Sequence, residues 1–424
     1  MRLSLIREFY RRYCNQSINN PTNNTIVLNG KTYIKDDYTN VTPRIISFLD
    51  KKLLHRKFHP LNLIKQNIIN YFNKNFIGKK GITIFSIYED LHPVVTVREN
   101  FDSLLIPESH ISRQKSDTYY INKEYLLRSH TTAHQAELIK MGLDNFLIFG
   151  DAYRRDEIDI THYPVFHQTD GVYTLNKEQI ENVINSEINL FENNEDTEEK
   201  QGIHTAAVTK FIENHLKNTL IGLSHHLYGT KISHQWVSAY FPFTHPSWEL
   251  QIMINNEWTE ILGCGIIRQD ILKNAGAGDR VGWAFGLGLE RLAMQRYQIP
   301  DIRIFWSEDS GVTSQFEDAT PETKIIYKEV SPQPQCINDL SFFLADDNIF
   351  HSNDFYEIVR HVGGNYVEQV KLIDEFFHPK VKRLSRTYRI IYRHRNRPLT
   401  KAEVNVLHSR IANTTIRQFN IEIR

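Results

Sequence analysis

The chain has 424 residues, 41% of them hydrophobic, with 50 Lys+Arg against 50 Asp+Glu. That length supports a sizeable core and two or three domains, and the charge balance excludes nucleic-acid binding through bulk charge, so such a partner needs a local basic patch. The three cysteines, Cys14, Cys264 and Cys336, are too few and too scattered for a disulfide framework or a CxxC metal site, and no apolar run approaches the ~18 residues of a membrane span.

Residues 1–20 carry four arginines against one acid, Glu8, and Leu3, Leu5, Ile6, Phe9, Tyr10 and Tyr13 fall mostly on one side of a helix. Basic, amphipathic and acid-poor is the composition of an organellar presequence, and the polar stretch after it reads as a disordered junction. Residues 60–76 have apolar side chains at helical spacing. Residues 82–97 are β-branched and aromatic, broken by Pro93, and read as strands. Residues 134–141 read as a helix. From 146, FLIFGDAYRRD and PVFHQTDGVYTL form a hairpin with a long loop at about 156–163. Residues 177–228 read as helical except for the acidic run 193–200. Strands follow around WVSAYFPF, WELQIMI and EWTEILGCG, then a strand and helix in GWAFGLGLERLAMQRY. The expectation is an α+β domain over 26–309 built on an antiparallel sheet flanked by helices. Residues 310–330 read as a polar linker, which permits the C-terminal residues to rotate against that domain. Residues 331–424 predict β-α-β-β-α-β, the ferredoxin-like order, with its second helix opened by a Thr400–Glu403 capping box.

Two elements carry chemistry. Arginine keeps its charge and forks onto phosphate oxygens, so Arg154, on a strand beside a loop rich in His and Tyr, suits a nucleoside triphosphate. Alone, such a residue is more often a surface ion pair, here with Asp156 or Glu157. In GLGLER (286–291) the strand glycines let a flat ring approach the backbone, and Arg291 can cover that ring or reach a phosphate. Alone, these are packing glycines and a surface arginine; the third glycine of a dinucleotide fingerprint is missing.

In this order the two elements resemble motifs 2 and 3 of class II aminoacyl-tRNA synthetases. RSHTTAHQ (128–135), HYPVFHQTDG (162–171), YFPFTHPSWE (240–249) and EWTEILGCG (257–265) narrow the resemblance to the phenylalanine-specific enzymes, in their single-chain mitochondrial form with a fused anticodon-binding module. It covers the chain from about residue 59 to the end. It implies a ligase that joins L-phenylalanine to tRNA(Phe) through a phenylalanyl-adenylate, with ATP and Mg²⁺, as a monomer in the mitochondrial matrix and with no membrane partner.

The same resemblance assigns roles. Phe241 and Phe243 meet the substrate ring, with Gly263 and Gly265 leaving room for it. His134, Gln135, Gln168 and, less directly, Asp170 hold the ammonium or carboxylate, and Thr132, Ala133 and Thr169 complete that wall. Arg154 holds the α-phosphate and the attacking carboxylate. Thr161, His162 and Tyr163 line the loop over ATP; Phe166 stacks on adenine, with Phe285 and Arg291 on its other side; Glu260 holds ribose or Mg²⁺. Family members commonly carry glutamate where this chain has Asp170, so the shorter side chain is expected to reach the ammonium through water.

The C-terminal run 379–397 holds eight Lys/Arg and no acid. Alternation in TYRIIYRHR leaves one face to pack and the other to meet phosphates or unpaired bases. Lys382, Arg383, Arg386, Arg389, Arg393, Arg395 and Arg397 are the candidate RNA contacts; basic residues also protect a solvated strand edge. Two rival readings are a catalytically silent synthetase-like RNA-binding protein, which retention of both Arg154 and Arg291 disfavours, and a ligase for a free small molecule, which the basic run disfavours. A hydrophobic pocket rejects an added hydroxyl by only about 10²-fold, and the domain plan has no room for an editing domain, so no hydrolysis of tyrosyl-tRNA is expected.

Overall fold

The computed structural model describes residues 24–254, 256–329, 333–345, 350–394 and 397–424. The presequence reading at 1–20, the domain start at 331 and Arg395 lie outside them. The described chain opens with a hairpin of β1 (Thr25–Leu28) and β2 (Lys31–Ile34). Its turn is Asn29-Gly30, both at positive φ, the pairing that a two-residue hairpin favours. Helix α1 (Pro60–Asn75) starts with proline at its first position behind the His59 cap and buries Leu61, Ile64, Ile68 and Phe72 at helical spacing. Then come β3 (Ser86–Tyr88), β4 (Val94–Thr96), β5 (Tyr125–Leu127) and the short helix α2 (Gln135–Lys140).

The hairpin read from the sequence is β6 (Asn145–Tyr153) and β7 (Val165–Asn176). After it, only α3 (Lys177–Ile184) and α4 (Ala206–Tyr228) of the stretch 177–228 are helical. Strands β8 (His234–Phe241), β9 (Thr244–Ile254), β10 (Glu257–Ile267) and β11 (Arg280–Gly288) lead into helix α5 (Leu289–Tyr297). One seven-stranded sheet results, in the order β3-β6-β7-β11-β10-β9-β8. Its neighbours are antiparallel except β3 and β6.

Strand alternation gives this sheet two unlike faces. Leu147 and Phe149, Tyr173 and Leu175, and Trp283, Phe285 and Leu287 join the core formed with α1, α4 and α5. The opposite register, including Gln168, Asp170, Gly263 and Gly286, borders the open cleft. The described residues 311–329 of the expected linker 310–330 differ from a loose linker. Val312, Phe316, Ala319 and Tyr327 are buried in the core beneath the seven-stranded sheet, and the Phe316 ring meets Tyr297 edge to face at 5.5 Å. A few apolar side chains in a polar stretch are enough to strap it down.

The C-terminal module is β12 (Cys336–Phe343), α6 (Ser352–Gly363), β13 (Val367–His378), β14 (Arg383–Tyr392), α7 (Lys401–Phe419) and β15 (Glu422–Ile423). Its sheet order, β13-β14-β12-β15, is ferredoxin-like, and Thr400 and Glu403 form the expected capping box. The module sits on the loop between β6 and β7. Ile158 of that loop is buried in the module's core, and its carbonyl accepts from the Val370 amide at 2.9 Å. Arg155 pairs with Asp354 at 2.9 Å, and Arg360 donates to the Asp156 carbonyl. Tyr119 donates to Glu357 at 2.6 Å, and Arg360 pairs with the same carboxylate at 2.9 Å. Burial pushes the Glu357 carboxyl up, but Arg360, Tyr119 and Arg155 outweigh it and hold it below its ordinary value.

Arg128, only 2% exposed, ties the larger domain together. Its guanidinium donates to the Asp151 carbonyl (2.6 Å) and carboxylate (2.5 Å) on β6 and to the Leu91 carbonyl (3.0 Å) ahead of β4; it lies 3.0 Å from His134 Nε2 in the turn before α2. Removing one partner of a buried ion pair costs about 3–5 kcal/mol, because the other charge stays buried. Arg128→Met is therefore expected to lower the unfolding free energy by about that amount in a urea titration, and adding Asp151→Leu should recover part of it.

Candidate active site

Two cavities open on the cleft face. One, of about 550 Å³, is lined by Ser129, His130, Thr132, Gln135, Phe241, Phe243 and Gly263, among others. The other, of about 630 Å³, is lined by Thr161, His162, Tyr163, Phe166, Trp258, Gly288 and Arg291, among others. Arg154, Asp156, Gln168, Glu260 and Gly286 border both. The cleft is thus one trough with an arginine at its waist.

Arg154 is held, yet keeps donors free. Its Nε donates to the Ser129 carbonyl at 2.8 Å, and its guanidinium carbon stands 5.2 Å from the centre of the Phe166 ring. In the first cavity the Phe241 and Phe243 rings stack at 5.9 Å, and a Cβ at Gly263 would collide with the Phe241 ring. Asp170 is buried, with Oδ2 accepting from Thr131 and Thr132, each at 2.8 Å. Burial pushes its carboxyl up to about 6, against the pull of the two threonines, Arg154 and Arg128. Burial and the neighbouring Arg154 charge push His130 down to about 3, so it is a neutral ring at pH 7. Buried Gln135 has neither amide atom hydrogen-bonded, and Gln168 Oε1 also lacks a partner. An unpaired buried polar group costs about 1–3 kcal/mol, so amides left open on a cavity wall mark where a polar ligand binds.

In the second cavity Arg291 Nη1 meets a Glu260 carboxylate oxygen at 3.2 Å. Glu249, beside them on β9, has its carboxyl raised by burial and by the Glu260 charge. Asp159 organises the loop by accepting from the Thr161 and His162 amides and from the His162 ring, at 2.6, 2.7 and 2.8 Å. That ring hydrogen bond raises the His162 pKa. The Tyr163 ring turns inward against Trp306, stacked at 5.4 Å.

Five sequence-chosen residues sit otherwise than expected. Ala133 is packed among Val95, Phe101 and Leu126. His134 faces Arg128, and burial beside that charge pushes it down to about 3. Thr169 points to the helix side and donates to the Ile148 carbonyl. A Cβ at Gly265 would meet the Pro246 carbonyl and Thr244, so that glycine admits a neighbouring chain segment rather than a ligand. The Phe285 ring, 3% exposed, stacks on Phe72 at 5.8 Å beneath Gly171, leaving Gly286 and Gly288 to face the second cavity. For Ala133, His134, Thr169 and Phe285, strand or turn parity put the side chain on the other face, and parity within a motif is hard to read from sequence; at Gly265 the adjoining Thr244–Pro246 segment fills the space instead. His130, Glu249 and Glu290 were missed. Glu290 is buried and accepts from the His167 amide at 2.8 Å, with its other oxygen 2.6 Å from the His167 ring, locking α5 to β7. It stands inside GLGLER, so the signal was available.

Known proteins match along nearly the whole chain. The class II core domain (F) of tRNA synthetases matches residues 46–198 and 202–316, and the ferredoxin-fold anticodon binding domain matches 331–424. A probable mitochondrial phenylalanine–tRNA ligase from Drosophila melanogaster is 48% identical, with 94% of this chain and 92% of that protein aligned. The mitochondrial phenylalanine–tRNA ligase of Mus musculus is 47% identical over 93% and 88% of the two chains, and that of Saccharomyces cerevisiae 38% over 94% and 95%. The chain belongs to the phenylalanine–tRNA ligase family.

In its anticodon-binding fold, neighbouring elements supply the acids that the basic run lacks. Arg383 pairs with Glu422 at 2.7 Å, Arg386 with Glu375 at 2.5 Å, Arg389 with Asp339 at 2.8 Å, Arg393 with Glu368 at 2.5 Å and Arg397 with Glu403 at 2.8 Å. Among the described residues the Lys382 ammonium has no acidic partner. The inference from a local surplus of cations is therefore corrected: strand neighbours and the last helix neutralise most of it.

Asp170 gives the cleft a pH signature. It is ionised above about 6 and can then hold an ammonium; below that it is neutral. Phenylalanine affinity, measured by calorimetry, is expected to be level near neutral pH and to fall about tenfold per pH unit well below 6. Asp170→Asn should bind more weakly and lose this dependence. The sign for folding is opposite. The folded pKa lies above the ordinary value of 3.8, so the group's contribution to stability declines as pH rises between 3.8 and about 6.

Proposed function

We infer that the chain activates L-phenylalanine with ATP and transfers it to tRNA(Phe) in the mitochondrion, with the matrix as its compartment and the monomer as its working form. Among the described residues no helix is long and apolar enough to cross a membrane. The observation that carries the chemistry is the double cavity with Arg154 at its waist, one half bearing open amides and stacked phenylalanines, the other glycine-floored.

Phenylalanine lies against Phe241 and Phe243, where edge-to-face contact adds about 0.5–1.5 kcal/mol per ring pair beyond burial. Thr132, Gln135, Gln168 and Asp170 take its ammonium and carboxylate. Adenine lies over Gly286 and Gly288 between Phe166 and Arg291, with Thr161, His162 and the backbone of Tyr163 closing the loop above. Glu260, with Glu249 behind it, fits a hard cation, since burial and the Glu260 charge raise the Glu249 carboxyl and a bound cation would relieve that repulsion; bound Mg²⁺ would neutralise phosphate charge there. Arg154 brings the carboxylate oxygen in line with the α-phosphorus. That oxygen attacks, the bond to the β-phosphate breaks, and pyrophosphate leaves. A ribose hydroxyl of the tRNA 3′ end then attacks the adenylate carbonyl, and AMP departs. The machinery is positioning and charge neutralisation, with no covalent enzyme intermediate. Lys382, Arg383, Arg386, Arg389, Arg393, Arg395 and Arg397 remain the proposed anticodon-side contacts, most of them exchanging a carboxylate for phosphate.

ATP–pyrophosphate exchange, run with each of the twenty amino acids, is expected to depend on phenylalanine, and Arg154→Ala to lose about 10²–10³-fold or more. Exchange with no amino acid would turn the reading to a silent RNA-binding relative. The described residues form only the sheet body with its hairpin and the ferredoxin module. The purified protein is therefore expected to leave tyrosyl-tRNA intact, and rapid deacylation would show an editing site.

A further inference from the structure

Tyr240 is 74% exposed, the most exposed large aromatic among the described residues, yet it borders the same cavity as His130, Gln135 and Arg154. It is the penultimate residue of the edge strand β8, immediately before Phe241. Among the described residues its ring meets no other aromatic or cationic group, and its hydroxyl has no hydrogen-bond partner. Ile111, 63% exposed, borders the same cavity from the segment after β4. Isolated exposed apolar side chains are ordinary on a surface; an unpartnered ring at the rim of a substrate cavity is a platform with nothing on it.

The transfer step says what the platform is for. Arg154 and Gln168 line both cavities, so on the aminoacylation reading the adenylate carbonyl would lie beside them, where the cavities meet. Once AMP fills the glycine-floored half, the attacking ribose hydroxyl reaches that carbonyl across the open rim of the amino-acid half. The base on the same ribose is then one nucleoside away from the carbonyl, over the rim. We propose that Tyr240 is a positioning residue for the second step, on whose ring the unpaired 3′-terminal base of the tRNA stacks. The proposal rests on the aminoacylation reading. A π-face suits any base, and stacking on an aromatic side chain contributes about 1–3 kcal/mol per base, which is roughly 5- to 150-fold in rate or affinity.

The test separates the two steps. Tyr240→Ala is expected to leave phenylalanine-dependent ATP–pyrophosphate exchange within about twofold of wild type, while kcat/KM for tRNA(Phe) falls about 5- to 150-fold. Tyr240→Phe and Tyr240→Trp should retain transfer, and Tyr240→Leu should not, because the ring rather than the hydroxyl or bulk is required. Unchanged transfer in Tyr240→Ala overturns the proposal. Loss of exchange and transfer in parallel also overturns it, placing Tyr240 in the amino-acid pocket. Absence of exchange in the wild type removes the aminoacylation reading itself, and the proposal with it.

Discussion

Everything in the cleft depends on one buried cation. The Arg128 guanidinium joins β6, the segment ahead of β4 and the turn before α2. Of those pieces, β6 leads directly into Arg154, and the turn holds Thr132 and opens the helix that begins at Gln135. A planar five-donor group can bridge several acceptors in fixed directions where an ammonium cannot. Buried in this way, the charge leaves the three segments one arrangement in which it is paired. Gly150 is part of the same device, since a Cβ there would strike the guanidinium. The second lock, Glu290 to His167, holds the helix that carries Arg291 to the strand that carries Phe166 and Gln168.

With the frame so fixed, the cleft can leave polar groups open. Gln135 and Gln168 stand unpaired on the wall, and Asp170 has a carboxyl raised to about 6. These features cost stability, and the dense aromatic core on the opposite face of the sheet, with Phe72, Phe285, Trp283 and Tyr173 in mutual contact, offsets them. The C-terminal module adds a connection of its own. It grips Arg155, Asp156 and Ile158, the residues that directly follow Arg154. The anticodon-binding module is thus in direct contact with the loop proposed to close over the nucleotide, with no intervening layer.

The places where sequence reasoning failed share a cause. Phe285 and Thr169 lie on correctly placed strands but on the unexpected face, because a period of two makes every side-chain direction hinge on one residue of register. The basic run 379–397 looked unopposed because its acids are Asp339, Glu368, Glu375, Glu403 and Glu422, some brought in by neighbouring strands and one by α7. The polar composition of 310–330 concealed Phe316 and Tyr327, two anchors that hold the whole segment.

What the sequence by itself determined was the class of fold, the order of most elements and the family. Periodicity and punctuation are local properties, so α1, the β6–β7 hairpin, β11 with α5 and the βαββαβ module were legible from spacing, glycines and caps. The motifs that brought Arg154, Arg291, Gln168 and the FPF segment to notice are equally local strings. Only the tertiary structure decided which side chains of those strings face the cleft, which cations keep a free partner, and that the supposed linker is anchored. Facing and pairing are relations between segments distant in the chain, set by strand register and by where buried charges find their counter-charges, and no window of sequence contains both halves of such a relation.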